Sequence, residues 1–167
     1  RVLFRSVLPR YLGQHGTDYH EDVCAVPTRM FVSVSRLRAE KFQHHIGPRD
    51  RVLEYGAGLG YNLAALSCAE RHAFDVGPHL APAFERLGIL FSLTTDAFER
   101  GTFDALICHH VLEHVPEPWQ VLRELWRLVR PGGTLVLNVP FEREPSYQRY
   151  DPGDKHGHLY SWNPQTL

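Results

Sequence analysis

From Arg51 onward, short apolar runs alternate with stretches in which apolar residues recur every three or four positions. The first pattern is that of buried strands and the second that of helices with one packed face. Strands are expected at "RVLEY" (51–55), "HAFDV" (72–76), "ILFSL" (89–93), "FDALICH" (103–109) and "TLVLNVP" (134–140). Helices are expected between them, over about 61–71, 79–87 and 116–130. The last carries the clearest stripe: Val121, Leu122, Leu125, Leu128 and Val129. Pro131-Gly132-Gly133 then stops it, because neither residue type continues a helix well. Upstream, Phe31, Val34, Leu37, Phe42 and Ile46 predict a further helix over 28–46, with Thr28 at its start and Gly47-Pro48 at its end. Strands alternating with helices make βαβ units, and hence an α/β fold with a mostly parallel sheet and helices on both faces. Ligands of such sheets bind beyond the carboxyl ends of the strands.

The chain has 167 residues, which suits one domain with a real core. With 43% hydrophobic and 22% charged residues it reads as a globular protein, and a net charge of −1 gives no field to attract nucleic acid or an anionic membrane. The 18 basic residues are arginines apart from Lys41 and Lys155 and are spread along the chain. No apolar run approaches the roughly 18 residues of a membrane span. Cys24, Cys68 and Cys108 show no framework spacing, which suits a reducing compartment and a cytoplasmic location. The start, "RVLFRSVLPRYLG", is basic and fits either a transit segment or a short amphipathic helix. An opening Arg1 in place of Met suggests a fragment or a processed form.

Chemistry enters with "VLEYGAGLG", where Gly56, Gly58 and Gly60 follow the acid Glu54 just after a strand. Glycine costs stability inside regular structure, so the spacing points to a sharp turn that lets a ligand approach. The spacing is not the G-x-G-x-x-G of a dinucleotide fold, and no G-x-x-x-x-G-K-[ST] phosphate loop is present. Asp75 ends the second strand, where a carboxylate can accept both hydrogen bonds of a ribose diol or can simply be solvated. Asp96, in "TTDAFE", follows the third strand and is equally placed to cap a helical turn.

The E-x-G-x-G-x-G stretch is similar to that of class I S-adenosylmethionine-dependent methyltransferases. "FDALICHHVLEHVPEPWQVLRELWRLVRPGGTLVLNVP" (103–140) resembles their fourth strand, "VLEHV" turn, "RPGG" helix end and fifth strand. The likeness covers about 51–140. It implies a Rossmann-like, doubly wound sheet of order 3-2-1-4-5 and S-adenosylmethionine as cofactor. It also implies a cofactor site of Glu54, Gly56, Ala57, Gly58, Gly60, Asp75 and Val76. Asp96 would accept from the adenine amino group, and the Ala97 N–H would read the ring. Cys108 and His109 would offer backbone carbonyls, and Glu54 a carboxylate, to the amino group of the cofactor. Arg38, more than the neighbouring Arg36, would pair with its carboxylate.

The acceptor side is read from weaker signals. His110 would face the acceptor and can take a proton from it, although many methyl transfers need alignment alone. Tyr19, with Tyr11 and His20, is a candidate lid residue, and Tyr147, Tyr150, His156 and Tyr160 of the aromatic tail are candidate substrate contacts, with His158 and Trp162 beside them. "NVPF" (138–141) looks like the box of base-amine methyltransferases but ends strand five, where that box does not belong. Eleven histidines invite a metal reading, yet no cysteine or carboxylate set stands at ligand spacing, and no metal is expected.

The resemblance divides the chain into a helical cap (1–46), a cofactor core (47–140) and an acceptor-side loop (141–167). The family fold continues into a strand 6/7 hairpin for which no residues remain, so truncation is expected. Strand five would then be an edge for a second copy of the chain or a complementing segment. The expected activity is methyl transfer to an O, N or C nucleophile of a small molecule. A non-catalytic binding module of the same fold, or a nicotinamide-dependent oxidoreductase, is the alternative.

Overall fold

The computed structural model describes residues 11–23, 28–141 and 158–163, the side chains of 21–23, 28 and 29 excepted. Helices α1 (Gly13–Val23) and α2 (Thr28–Gln43) come first. Then follow β1 (Arg51–Tyr55), α3 (Tyr61–Ala64), β2 (Glu70–Phe74), α4 (Ala81–Leu87) and β3 (Leu90–Ser92). The second half consists of β4 (Phe103–His109), α5 (Pro118–Leu128) and β5 (Val129–Asn138). All four strand pairs are parallel and the order is β3-β2-β1-β4-β5. The chain thus winds outward from β1 to β3, returns to the middle and winds out the other way. That reversal leaves a crevice beyond the carboxyl ends of β1 and β4.

Side chains along a strand alternate between faces, and the two halves of the core follow that rule. Val52, Ala105 and Ile107 join Phe42, Leu63 and Phe84, and so bind the sheet to α2, α3 and α4. Leu53, Leu106 and Cys108 join Leu125 and Leu128 of α5 on the opposite face. Burying each of these leucines contributes about 2 kcal/mol before entropy is counted. Glu54 follows the Val52 face, and Asn62 of α3 meets its carboxylate at 2.8 Å. No described helix is long and apolar enough to cross a membrane.

Three elements differ clearly from the pattern's expectation. The helix expected to Arg71 ends at Ala64. Arg71 reaches back and donates to Leu63 O and Leu66 O at 3.0 and 2.5 Å, so an arginine side chain takes carbonyls that a longer helix would use. The strand then begins early, with Glu70 in register with Arg51 and ion-paired to it at 2.9 Å. The fifth strand also begins early, at Val129 opposite Phe103, before the register jumps to Ala105–Thr134. Arg130 to Gly133 therefore form a bulge. Asp104 ties this bulge to the sheet centre: it accepts from Arg130 Nε at 2.5 Å and from the Arg51 N–H at 2.8 Å. Those bonds hold its carboxyl below the ordinary range.

Candidate active site

The glycine loop after β1 is shaped first by the protein itself. Gly56 has φ +73°, and a Cβ there would fall on the Val111 side chain from the loop after β4. A Cβ on Gly60, φ +76°, would lie 2.8 Å from the Phe84 ring of α4. Both positions need glycine because neighbouring elements close in. Gly58 is different: its nearest atom in that direction is His20 Nε2 at 4.0 Å, so its open side faces the space between the loop and α1.

That space is a cavity of about 320 Å³ beyond the strand ends, within the range of small-ligand sites. Glu54 is its most unusual wall residue. The side chain is 1% exposed, Oε1 accepts from Asn62, and Oε2 has no hydrogen-bond partner. Burial pushes the carboxyl up to about 7, against the opposing Asn62 hydrogen bond and Arg38 charge. A buried oxygen without a donor is costly, and a cation or N–H in the cavity would satisfy it.

Asp75 stands across the loop. Its Oδ2 accepts from Gly58 N–H at 2.9 Å and its Oδ1 from Gly77 N–H at 3.0 Å. One carboxylate therefore staples the loop after β1 to the loop after β2. Each oxygen keeps a lone pair for a ligand hydroxyl.

His109, the last residue of β4, and His110, just past it, complete the wall. His109 packs on Phe42, and burial, helped by His110 and Arg38, holds it down to about 3, so the ring carries no charge near neutrality. His110 has φ +55°, the one non-glycine with positive φ among the described residues. Such a conformation costs about 1 kcal/mol and tends to persist at functional positions. Its N–H donates to Asn138 O at 2.9 Å, and its Nδ1 lies 3.2 Å from Glu113 Oε1. The other side is closed by Tyr11, just before α1, by Tyr19 and His20 of α1, and by Phe31, Ser35 and Arg38 of α2. His20 Nδ1 is 3.0 Å from Nε2 of His79, whose pKa burial and His20 hold down.

The fold gathers most of the residues singled out from the sequence. Glu54, Gly56, Ala57, Gly58 and Gly60 line the cavity, as do Asp75 and Val76 after β2. Arg38, Tyr19, His109 and His110 line it from the remaining sides, whereas Arg36 does not. The Cys108 side chain is 1% exposed within the core, where burial raises its thiol pKa, so only its backbone is available to the crevice. Asp96 and Ala97 are exposed in the turn Thr95–Ala97, off the cavity wall. Thr94, not Asp96, caps that turn, accepting from Asp96 N–H at 3.2 Å. Tyr160 is also off the wall, and its hydroxyl donates to Pro116 O at 2.7 Å. Tyr147, Tyr150 and His156 lie outside the described residues. Asn62, Phe31 and Ser35 were not singled out as site residues from the sequence. Phe31, Ser35 and Arg38 share one helical face, and Asn62 sits where the glycine loop enters its helix, so both signals were present.

A five-strand parallel sheet of this order, with one acid near the end of β1, a second just past β2 and a glycine loop between them, defines a Rossmann-like domain of the class I methyltransferase type. Residues 53–137 match the family described as "Methyltransferase domain", and the chain belongs to that family. A ubiquinone biosynthesis O-methyltransferase of Xanthomonas oryzae pv. oryzae is 36% identical over 102 residues, covering 53% of this chain and 42% of that protein. The chain thus spans less than half the length of this curated relative. Among solved structures, a Methanococcus maripaludis protein assigned as an S-adenosylmethionine-dependent methyltransferase superposes with TM-score 0.61 at 16% identity, covering 71% of this chain and 62% of that one. The [4+2]-cyclase SpnF superposes with TM-score 0.56 at 22% identity, covering 68% and 47%. These two structures share the fold, and the fold alone does not fix a reaction.

Proposed function

We propose that this chain is a methyltransferase that uses S-adenosylmethionine to methylate an O, N or C nucleophile of a small molecule. The observation that carries the reading is the buried Glu54 carboxylate, whose Oε2 lacks a partner on the wall of the cavity. A ligand bearing an ammonium group satisfies that oxygen. Asp75 has lone pairs left for ribose hydroxyls, and Arg38 offers a guanidinium to a carboxylate. His109 stays neutral and adds no repulsion towards a cationic ligand. These donors and acceptors fit S-adenosylmethionine, which when bound supplies a methyl group on a positively charged sulfur.

The chain's own part in the reaction is chiefly alignment. The stapled loops and the β4 end form fixed walls, and α1 and α2 cover them, which supports reading residues 1–46 as a cap over a cofactor core of 47–140; the family resemblance alone gives 141–167 the acceptor side. His110 is the proton acceptor: with Nδ1 turned to Glu113, Nε2 is the nitrogen left for an acceptor hydroxyl or amine. The O-methyltransferase relative favours an oxygen nucleophile. We place the protein in the cytoplasm, where Cys68 and Cys108, both free thiols, would stay reduced.

Calorimetric titration with S-adenosylhomocysteine tests the reading. Micromolar binding by the chain, lost in Asp75→Ala and absent with NAD, is the expected result. A folded chain that binds NAD, or that binds neither ligand, overturns it.

A further inference from the structure

A second group of ligand-type side chains lies beside the cavity, outside the cofactor set. It starts in the turn Leu112–His114 that follows β4. Glu113 is fully buried, and neither of its carboxylate oxygens accepts a hydrogen bond. Its near polar neighbours are imidazoles: His110 Nδ1 at 3.2 Å and His114 Nε2 at 4.0 Å from Oε1. A carboxylate taken out of water without a donor is strongly unfavourable unless a cation compensates it.

A third side chain comes from far along the chain. The His158 ring sits 4.8 Å from that of His114. Its segment is anchored at several points. The Leu159 N–H donates to Glu113 O at 2.6 Å, the Tyr160 hydroxyl reaches Pro116 O, and Trp162 bridges to Phe141. One ligand atom from each of Glu113, His114 and His158 lies within 4.8 Å of the others. Bonds of about 2.0–2.2 Å to one ion would bring tetrahedral ligands to about 3.4 Å apart, which small side-chain rotations achieve.

We propose that Glu113, His114 and His158 bind a divalent transition-metal ion of the zinc type. Two imidazoles and one carboxylate suit Zn²⁺ with a fourth position open, whereas Mg²⁺ and Ca²⁺ call for more oxygen ligands. Sequence spacing hid the set because Glu113 is adjacent to His114 and His158 lies in the late loop. The ion neutralises the buried Glu113, and His110 Nδ1, 3.2 Å from Oε1, helps to orient the carboxylate. His114 also lines the cavity, so the ion sits at the cavity wall. An open position there takes an oxygen of the acceptor; that consequence, unlike the site itself, rests on the methyl-transfer reading.

The test uses the full chain stripped with a chelator and titrated with Zn²⁺ against a chromogenic competitor. One equivalent should bind at micromolar affinity or tighter. His158→Ala and Glu113→Gln should each weaken it at least about tenfold, while His44→Ala, at an exposed position in the turn after α2 and off the cavity wall, leaves it unchanged. Cobalt substitution should give ligand-field bands without thiolate charge transfer. Titration with S-adenosylhomocysteine on the same samples reports folding and cofactor binding separately, so failure of one reading does not disguise failure of the other. If Glu113→Gln does not fold, His158→Ala, in a half-buried position, decides alone. A folded chain that binds no Zn²⁺, or one whose binding survives His158→Ala, overturns the proposal.

Discussion

Glu54→Gln isolates one buried charge and turns it into a measurable pH dependence. The Glu54 carboxyl is raised from 4.5 to about 7, chiefly by burial. Below about pH 4.5 the folded and unfolded chains both hold this proton. Between about 4.5 and 7 the unfolded chain releases it first, so stability declines as pH rises, and above about 7 the difference is constant. Over about two and a half pH units, at about 1.4 kcal/mol each, the loss is about 3 kcal/mol. Glutamine has no proton to lose, yet its amide oxygen can still accept from Asn62. Urea unfolding of both proteins from pH 5 to 8 gives the difference directly, since the other titrating groups cancel. The variant should gain about 3 kcal/mol relative to wild type across that range. Binding runs the opposite way: a ligand ammonium favours the ionised carboxylate. Wild-type affinity for S-adenosylhomocysteine should therefore rise with pH, by up to about tenfold per unit below 7, while the variant binds weakly with no such slope. Parallel profiles for the two proteins, in stability and in binding, would refute the assignment of a buried, partly unpartnered carboxylate.

Other substitutions probe the same walls. Asn62→Ala removes the hydrogen bond that opposes burial, so the pH midpoint of cofactor binding should move upward from that of wild type. Gly56→Ala forces a left-handed alanine onto Val111 and should cost at least about 2 kcal/mol by thermal or urea unfolding, with Val111→Ala recovering part of the loss. His110→Ala should keep S-adenosylhomocysteine affinity but lower kcat by about a hundredfold or more once an acceptor is found. His110→Gly should be at least as stable as His110→Ala, because φ +55° suits glycine; a clearly less stable glycine variant would contradict the backbone conformation.

How much the sequence showed depended on whether the deciding contacts were local. β4 matched its expected span residue for residue, because the apolar run Ala105–Cys108, extended by Phe103, is a strong signal in itself. The start of β2 and the end of α3 were misread because Arg71 and the Arg51–Glu70 pair decide them, and both act across the fold. The bulge at Arg130–Gly133 was read as a helix stop, which is correct chemistry for Pro-Gly-Gly but silent on Asp104, the side chain that draws Arg130 to the sheet. At the site, the loop acids and glycines were legible as a motif. The reason for Gly56 and Gly60 was not, since the atoms that require them belong to Val111 and Phe84. Asp96 stood at the position the resemblance assigns to adenine recognition, yet here its turn faces solvent and is held by Arg127 through Thr95 O and Phe98 O.

The sheet contains no hairpin among its four pairings, and this has a consequence for how the molecule comes into being. Every parallel pair closes a loop, and the central one joins segments as distant as Arg51 and Asp104, 53 positions apart. Closing such a loop costs entropy before any contact rewards it, so folding should be slower than in a helical bundle of this size. A chain leaving the ribosome can assemble β1, β2 and β3 early, with Glu54, Asp75 and the glycine loop already in hand. It has no β4 to lay beside β1 until residue 109 has emerged, and without β4 the pocket has neither His109 and His110 nor the Val111 wall against Gly56. During synthesis, then, half of a binding site exists with its acidic groups still open to water. The share of Glu54's burial that β4 supplies, beside β1, arrives only with the second half of the chain.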